Sequence, residues 1–153
     1  MQLRPHQTEA LQAMADNDLG QVIVPTGGGK TMCMIHDVIR EITDCDYEKT
    51  FVVVAPRILL AEQLCREFIE ILDINFSTSI SYTHVHSGKV DGMFNTTKPF
   101  EIQEFVESCT GHKMSSQLII HYTEYRKVVL MLILSTLMKH TTQFRKTFSL
   151  LLS

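Results

Sequence analysis

Several features that would assign this chain to a class of protein are missing from it. Its four cysteines, Cys33, Cys45, Cys65 and Cys109, form no C-x-x-C pair and no group with histidine at zinc-ligand spacing. The N-terminus has no apolar segment typical of a secretory signal, and the strongly apolar run at 128–138 is too short to span a bilayer. We therefore expect an intracellular, cytoplasmic protein with free thiols, without a zinc centre and without a membrane segment.

A surplus of basic charge is missing as well. The 153 residues include 14 basic and 17 acidic side chains, and the formal net charge is −3. Such a chain has no overall positive field to attract a nucleic acid, so any contact with DNA or RNA has to be local. The length and the 44% share of hydrophobic residues fit one globular domain with a proper core.

The most informative segment that is present is rich in glycine. A short apolar run, Gln21–Val24, predicts a buried strand, and the sequence Pro-Thr-Gly-Gly-Gly-Lys-Thr follows it directly at 25–31. Consecutive glycines let successive backbone N–H groups turn toward an anion, and a helix that begins at Lys30 adds the partial positive charge of its N-terminus. In such a loop Lys30 reaches the β- and γ-phosphates of a nucleotide, and the Thr31 hydroxyl binds Mg²⁺.

Two other interpretations of this loop remain. The general phosphate-loop pattern asks for glycine at position 24, where this chain has Val24. The segment is then either a plain glycine turn between a strand and a helix, or the loop of an unrelated kinase or ATPase.

The narrower form PTGGGKT resembles motif I of superfamily 2 helicases and translocases, in particular the group of type III restriction-enzyme motor subunits and excision-repair helicases. The resemblance implies an α/β fold, namely a RecA-like P-loop NTPase domain with a mostly parallel, doubly wound sheet, incomplete in this chain and occupying 1–114. It implies ATP and Mg²⁺ as ligands and DNA as the partner of the intact motor. Unwinding polarity, the choice between DNA and RNA, and the oligomeric state are not readable from these residues.

The segment Leu3-Arg4-Pro5-His6-Gln7 resembles the glutamine motif that precedes motif I in this superfamily. In the family the glutamine amide pairs with the edge of adenine, because it presents a donor and an acceptor side by side. The alternative is that Gln7 is only a surface residue of a short helix from Pro5 to about Asp16. Together with the loop, the predicted ATP-binding residues are Gln7, Thr26, Gly27, Gly28, Gly29, Lys30 and Thr31.

A second apolar run, Phe51–Ala55, predicts a strand buried on both faces, and Pro56-Arg57 ends it before a helix at 58–72. These residues resemble motif Ia, whose strand-end loop touches the nucleic-acid backbone in the family. Pro56 and Arg57 are therefore the candidate DNA contacts, and Arg57 would supply a phosphate contact. The alternative, Arg57 as a solvated loop cation, remains open.

Three further elements are predicted from periodicity and breaker residues. They are a helix from Lys30 to Thr43, a strand at Ile80–Val85, and a helix from Pro99 closed by Gly111. In the last helix the core-facing residues are Phe100, Ile102, Phe105 and Val106. Such an alternation of strands and helices implies parallel pairing, right-handed crossovers and ligands at the carboxyl ends of the strands.

The pair His84-x-His86 shares one face of the predicted third strand. Two histidines at this spacing suit a metal, but no carboxylate or cysteine accompanies them at ligand spacing. We therefore predict a half-exposed strand face there.

From Ser115 the composition changes. Residues 115–153 contain no Gly, Pro, Ala, Asp or Asn, and they carry five basic residues and one acidic residue, so the formal charge changes from −7 before Ser115 to +4 after it. This break is the reason for dividing the chain into a RecA-like part at 1–114 and a separate tail at 115–153.

The codons allowed for this tail are compatible with another product one nucleotide out of frame. If each new codon takes the last base of one residue and the first two bases of the next, Met138-Lys139 gives Glu whatever codons are used. The neighbouring pairs permit Asp before it and Ala and His after it, which spells Asp-Glu-Ala-His. That sequence resembles motif II, the Mg²⁺-binding and water-activating box of the superfamily. Segments 116–123 and 130–137 permit, in the same frame, the loop and strand expected before it.

Three hypotheses follow. The first is the N-terminal, ATP-binding part of a superfamily 2 DNA helicase, truncated by a frameshift and inactive as this fragment, because motif II and the second motor domain are missing. The second is a non-catalytic nucleotide-binding module with a genuine apolar C-terminal extension. The third is the unrelated phosphate-loop kinase or ATPase.

Overall fold

The computed structural model describes residues 3–17, 19–44, 48–55, 57–76, 80–88, 92–118 and 147–150. Within these ranges four helices and five strands follow one another: α1 Pro5–Asp16, β1 Leu19–Val22, α2 Lys30–Thr43, β2 Thr50–Ala55, α3 Ile58–Asn75, β3 Ile80–Val85, α4 Pro99–Ser108, β4 His112–Leu118 and β5 Thr147–Leu150. Each pairing between these strands is parallel. The mixed α/β class predicted from the sequence is confirmed.

The chain divides into two compact units, 1–46 with 145–153, and 47–144. In the first unit β1 pairs with β5, from Leu19 opposite Thr147 to Val22 opposite Leu150. Helix α1 packs on α2, and the Arg40 guanidinium joins them by donating to the backbone oxygen of Leu11 at 3.3 Å. The buried apolar residues of these two helices are Met14, Cys33, Ile35, Val38 and Ile42.

Strand β1 lies two residues earlier than predicted. The apolar run suggested Gln21–Val24, whereas the paired residues are Leu19–Val22. Pro25 has no backbone N–H and restricts the residue before it, so the end of the run does not continue the ladder. The Ile23 side chain is 72% exposed although Val24 is buried, so the run is not buried on both sides.

In the second unit β4 lies between β2 and β3. The two helices of this unit cover opposite faces of the sheet. Tyr82 of β3 donates to the Asp73 carboxylate of α3 at 3.3 Å, whereas Val85 of the same strand packs with Ile102 and Val106 of α4. Side chains three residues apart in a strand point to opposite faces. The doubly wound arrangement is therefore present around this sheet.

Helix α4 turns one of its predicted core residues outward. Ile102 and Val106 are buried and Phe105 packs beside them, but the Phe100 side chain is 74% exposed. Successive residues of a helix are separated by about 100°, which places Phe100 about 200° from Ile102. Placing Phe100 in the core was therefore wrong.

Strand β4 was not predicted, and it runs through the proposed boundary at Ser115. Its backbone pairs with β2 from Lys113 to Leu118 and with β3 from His112 to Gln117. Residues 119–146, which hold the apolar run and most of the codon-constrained segments, lie outside the described residues. In the described part of the chain no helix is both long and apolar enough to cross a membrane.

Candidate nucleotide-binding site

The glycine loop connects β1 to α2 within the first unit, where the sequence predicted it. The Gly28 N–H donates to the backbone oxygen of Pro25 at 2.9 Å, which closes a tight turn. Gly27 and Gly29 have positive φ values of 74° and 82°, and Gly28 between them does not. Alternation of this kind turns successive N–H groups toward one concave side, which is the geometry of a backbone anion nest.

Two loop positions require glycine because other groups approach them closely. A Cβ atom on Gly28 would lie 2.6 Å from Cγ1 of Val24 and 2.9 Å from the oxygen of Pro25. A Cβ atom on Gly29 would collide with Nε2 of Gln7, and the φ of 82° disfavours any side chain there. The packing of the loop therefore explains Gly28 and Gly29 independently of any ligand.

Helix α2 begins directly at the loop. Gly29 is its N-cap, and the first helical bond runs from the Cys33 N–H to the oxygen of Gly29 at 3.2 Å. Cys33 is fully buried, which raises the pKa of its thiol and keeps the thiol neutral near pH 7. Lys30 and Thr31 occupy the first turn, where backbone N–H groups have no partner within the helix. The start of α2 is therefore anchored in the core while its polar end adjoins the loop.

Lys30 is half-buried at the mouth of the loop. Among the residues that the structure describes, no hydrogen bond or ion pair engages its ammonium group. Thr26 and Gly27 are exposed, and Thr31 is half-buried. The Lys30 ammonium can therefore bind an anion without first losing a salt bridge to another described residue.

Gln7 is buried and lies against the loop instead of on the helix surface, so the surface alternative for this residue is wrong. Its Oε1 accepts the Arg4 N–H at 2.8 Å, as in one half of a capping box. Its Nε2 donates to the oxygens of Gly28 at 3.1 Å and Gly29 at 3.4 Å. The carboxamide is thus engaged at both ends by the chain itself.

Two neighbours of Gln7 that the sequence did not single out also contact the loop. His6 Nε2 lies 2.9 Å from the oxygen of Gly28, and Arg4 Nη1 lies 3.4 Å from the oxygen of Gly27. A carbonyl oxygen only accepts, so Nε2 of His6 carries the proton in this contact. The place of His6 beside Gln7 in the first turn of α1 was the only signal in the sequence.

The candidate DNA contacts belong to the second unit. Arg57 is exposed and forms the N-cap of α3 in extended conformation, at the carboxyl end of β2. Pro56 lies outside the described residues. The loop after β3 approaches the same helix end, since a Cβ atom on Gly88 would lie 3.1 Å from Cγ2 of Ile58. Two loops at the carboxyl ends of parallel strands therefore meet at the start of α3.

The histidine pair is buried, so the predicted half-exposed face is wrong. His84 and His86 are 1% and 2% exposed, and the Gly88 N–H donates to Nδ1 of His86 at 3.1 Å. Among the described residues no cluster of three or more His, Cys, Asp or Glu side chains is placed to hold a metal. Tyr82, two residues before His84 on the same face of β3, donates to Asp73 of α3, so α3 covers the face that holds the pair.

The fold and this loop define a RecA-like α/β domain with a phosphate-binding loop. Its fold resembles a chain from the structure of a nuclease-deletion mutant of the Type ISP restriction-modification enzyme LlaGI in complex with a DNA substrate mimic. The TM-score is 0.67 at 21% identity, over 94% of this chain and 14% of that chain. At this identity the likeness establishes the fold alone.

The family is established by sequence. The chain belongs to the family described as type III restriction enzyme, res subunit, whose model matches residues 1–148. This family is a superfamily 2 helicase type, so the relationship inferred from PTGGGKT is confirmed and an unrelated kinase is excluded. No curated protein matches the chain.

Proposed function

We propose that this chain binds ATP with Mg²⁺ at the loop of residues 25–31. The observation that carries the proposal is the alternation of positive and negative φ at the three glycines, directly at the N-terminus of α2. The backbone N–H groups and the helix end both favour an anion at this place. The half-buried Lys30 adds a full positive charge beside them.

Each residue of the site has a distinct part in this proposal. The N–H groups of Gly27 and Gly29 face the β-phosphate side of the nucleotide, and Gly28, whose own N–H closes the turn to Pro25, shapes the loop between them. Lys30 neutralises the terminal phosphates. The Thr31 hydroxyl is an oxygen ligand for Mg²⁺, and Thr26 flanks the loop. Mg²⁺, when bound, neutralises charge on the phosphate oxygens.

Base recognition is assigned to Gln7. Its carboxamide has the donor and acceptor needed for the adenine edge. In the present arrangement both ends of that carboxamide are hydrogen-bonded to the chain, so adenine has to share or displace the bonds to Gly28 and Gly29.

We further propose that the intact parent protein couples ATP hydrolysis to DNA unwinding or translocation. Family membership supports this activity, and Arg57 at the start of α3 supplies a cation for a DNA phosphate beside Pro56. The present chain contains no Asp-Glu-Ala-His sequence. Without carboxylates to hold the metal and orient water, it binds nucleotide weakly and does not turn it over.

The tail at 115–153 is proposed to be an out-of-frame product. In the shifted frame the codon across Met138-Lys139 always encodes Glu, and the neighbouring codons permit Asp before it and Ala and His after it, which supports this interpretation. The nucleotide sequence after codon 114 tests it directly. A frame that continues through Asp-Glu-Ala-His into a second motor domain is the expected result, and a shifted frame that meets an early stop would contradict it.

A second candidate function is a non-catalytic nucleotide-binding module with a genuine C-terminal extension. Two observations favour it: β5, at 147–150, pairs in parallel with β1, and the family match continues to residue 148. Limited proteolysis separates the two candidates. A genuine extension leaves 115–153 protected, whereas an out-of-frame tail is removed early.

ATP binding is tested by titrating Mg·ATP into the 153-residue chain and its Lys30→Ala variant. Loss of a charge-assisted phosphate contact is expected to weaken binding at least about tenfold. Lys98→Ala is the matched control, since Lys98 is an exposed lysine of the other unit that is paired with Glu101. Equal affinity of the Lys30→Ala variant would contradict the site, and ATP hydrolysis lost on that substitution would contradict the predicted inactivity.

A further inference from the structure

We propose that His6 and Gln7 together form a clamp that holds the phosphate loop in its anion-binding shape before any nucleotide arrives. Both side chains reach the same acceptor, the oxygen of Gly28, at 2.9 Å and 3.1 Å. They belong to the first turn of α1, more than twenty residues away in sequence. The inference rests on the proposed phosphate site and assigns His6 and Gln7 as positioning residues for it.

The clamp acts through the geometry of the peptide plane. In a trans peptide the C=O of one residue and the N–H of the next point in opposite directions. With the oxygen of Gly28 directed at His6 and Gln7, the N–H of Gly29 points away from α1. The weaker bond from Gln7 to the oxygen of Gly29 orients the N–H of Lys30 in the same way. Two successive N–H groups are thereby set toward the anion.

The surroundings make this clamp stiff. Gln7 is only 6% exposed, and its Oε1 is fixed by the Arg4 N–H at 2.8 Å, so its Nε2 has little freedom to turn away. Gly29 has no side chain that would separate Gln7 from the loop. Pro5 at the start of α1 fixes the backbone from which both side chains project.

The clamp and base recognition predict different effects on ligands that lack a base. A residue that only recognises adenine contributes nothing to a ligand without a base. A residue that orients the loop N–H groups contributes to any polyphosphate. Inorganic tripolyphosphate is therefore the discriminating probe, because it presents the phosphates alone.

The test measures tripolyphosphate and ATP affinity, with Mg²⁺, for the 153-residue chain and its His6→Ala and Gln7→Ala variants. Each variant is expected to bind tripolyphosphate about three- to tenfold more weakly, the loss typical of one intramolecular hydrogen bond. His6→Gln keeps a donor and is expected to restore most of the affinity. Gln12→Ala is the matched control, because Gln12 is an exposed residue of the same helix whose amide donates to Asp16.

The outcomes are distinct. If Gln7→Ala weakens ATP but leaves tripolyphosphate unchanged, Gln7 recognises the base only and the clamp is refuted. If the unmodified chain binds neither ligand in a Lys30-dependent way, the proposed function fails instead. In that case hydrogen exchange at the Gly28 N–H, which donates to Pro25, decides the clamp without ligand. Faster exchange in both alanine variants supports it, and unchanged exchange refutes it.

Discussion

The imidazole rings of His84 and His86 lie side by side in the interior, with their centroids 5.1 Å apart and their planes at 51°. Burial lowers the pKa of both rings, and for His84 the neighbouring His86 lowers it further. Glu62 acts in the opposite direction on both, and Arg66 adds to the lowering at His84. Both imidazoles are therefore neutral in the folded chain near pH 7.

This pair predicts that the fold weakens in mild acid. The unfolded chain takes up protons at these histidines below about pH 6.5, and the folded chain does not until its lower pKa is reached. The free energy of unfolding should fall by up to about 1.4 kcal/mol per pH unit for each histidine in that window. Urea unfolding between pH 7.5 and 5.5 measures the slope.

A His84→Gln, His86→Gln double variant provides the comparison for that experiment. It removes two titrating groups, so its slope should be shallower. The pKa of His112 is also lowered by burial, so the double variant should retain the part of the pH dependence that comes from this histidine. An identical slope in the double variant would show that the pair does not titrate as described.

A second prediction concerns the glycine at the start of α2. Gly29→Ala forces a side chain into a positive φ and against Gln7. Gly92→Ala is the matched control, because Gly92 has a similar φ of 77° and no atom within 4 Å of the new Cβ. Backbone strain should cost about 1 kcal/mol in both variants. Only Gly29→Ala should also lower ATP affinity, as measured by titration, and equal nucleotide binding by both would contradict the role of this contact.

A third prediction concerns the ion pair between Glu48 and Lys113. The buried Lys113 ammonium lies 3.1 Å from Oε2 of Glu48, whose Oε1 accepts the Gly111 N–H at 2.7 Å. That N–H, and then Lys113, lower the pKa of Glu48. Glu48→Gln should destabilise the chain by only about 1 kcal/mol at pH 7, because the Glu48 side chain is 56% exposed and screened.

The pH dependence of that pair has a defined direction. Since the folded-state pKa of Glu48 is lowered, its contribution is present above the ordinary carboxylate range and is lost as the pH falls through it. The difference in urea midpoint between the original chain and Glu48→Gln should therefore shrink in acid. Glu67→Gln in α3 is the control, because among the described residues Glu67 only accepts an exposed hydrogen bond from the neighbouring Gln63, and it should change stability by less than about 0.5 kcal/mol. A constant difference at all pH values would argue against the ion pair.

A fourth prediction compares two apolar residues of α4. Ile102 is 1% exposed and Phe100 is 74% exposed. Ile102→Ala should cost about 2–5 kcal/mol through the lost burial and the cavity, whereas Phe100→Ala should be within about 0.5 kcal/mol of zero. Chemical unfolding of the two variants side by side measures the contrast. Similar losses of stability in the two variants would mean that Phe100 is packed in the core and would contradict its exposure.

Local signals in the sequence were sufficient for most helices and for one strand. The starts of α1 at Pro5, α2 at Lys30 and α4 at Pro99, and both ends of β3, agree with the predicted positions. Proline at a first turn and a glycine before a helix act through the backbone of their own segment, so neighbouring residues suffice to identify them. For the same reason the glycine loop was identified at its correct place.

Contacts between distant segments could not be predicted from such local patterns. Strand β4 has a polar sequence around Lys113, Ser115 and Gln117, and it is a strand because β2 and β3 supply hydrogen bonds on both sides. The exposure of Phe100 and the burial of His84 and His86 depend equally on which helix covers which face. A local pattern cannot rank such alternatives.

The sequence by itself therefore determined the chemistry of the loop: three glycines that permit the positive φ values, and a lysine and a threonine at the first turn of the next helix. The tertiary structure decided what holds that loop in place. His6 and Gln7 meet the oxygen of Gly28 only because α1 folds back over the loop, and the packing of α1 on α2 fixes that approach. Hydrogen bonds between residues more than twenty positions apart depend on this packing, and no periodic pattern in the sequence indicates them.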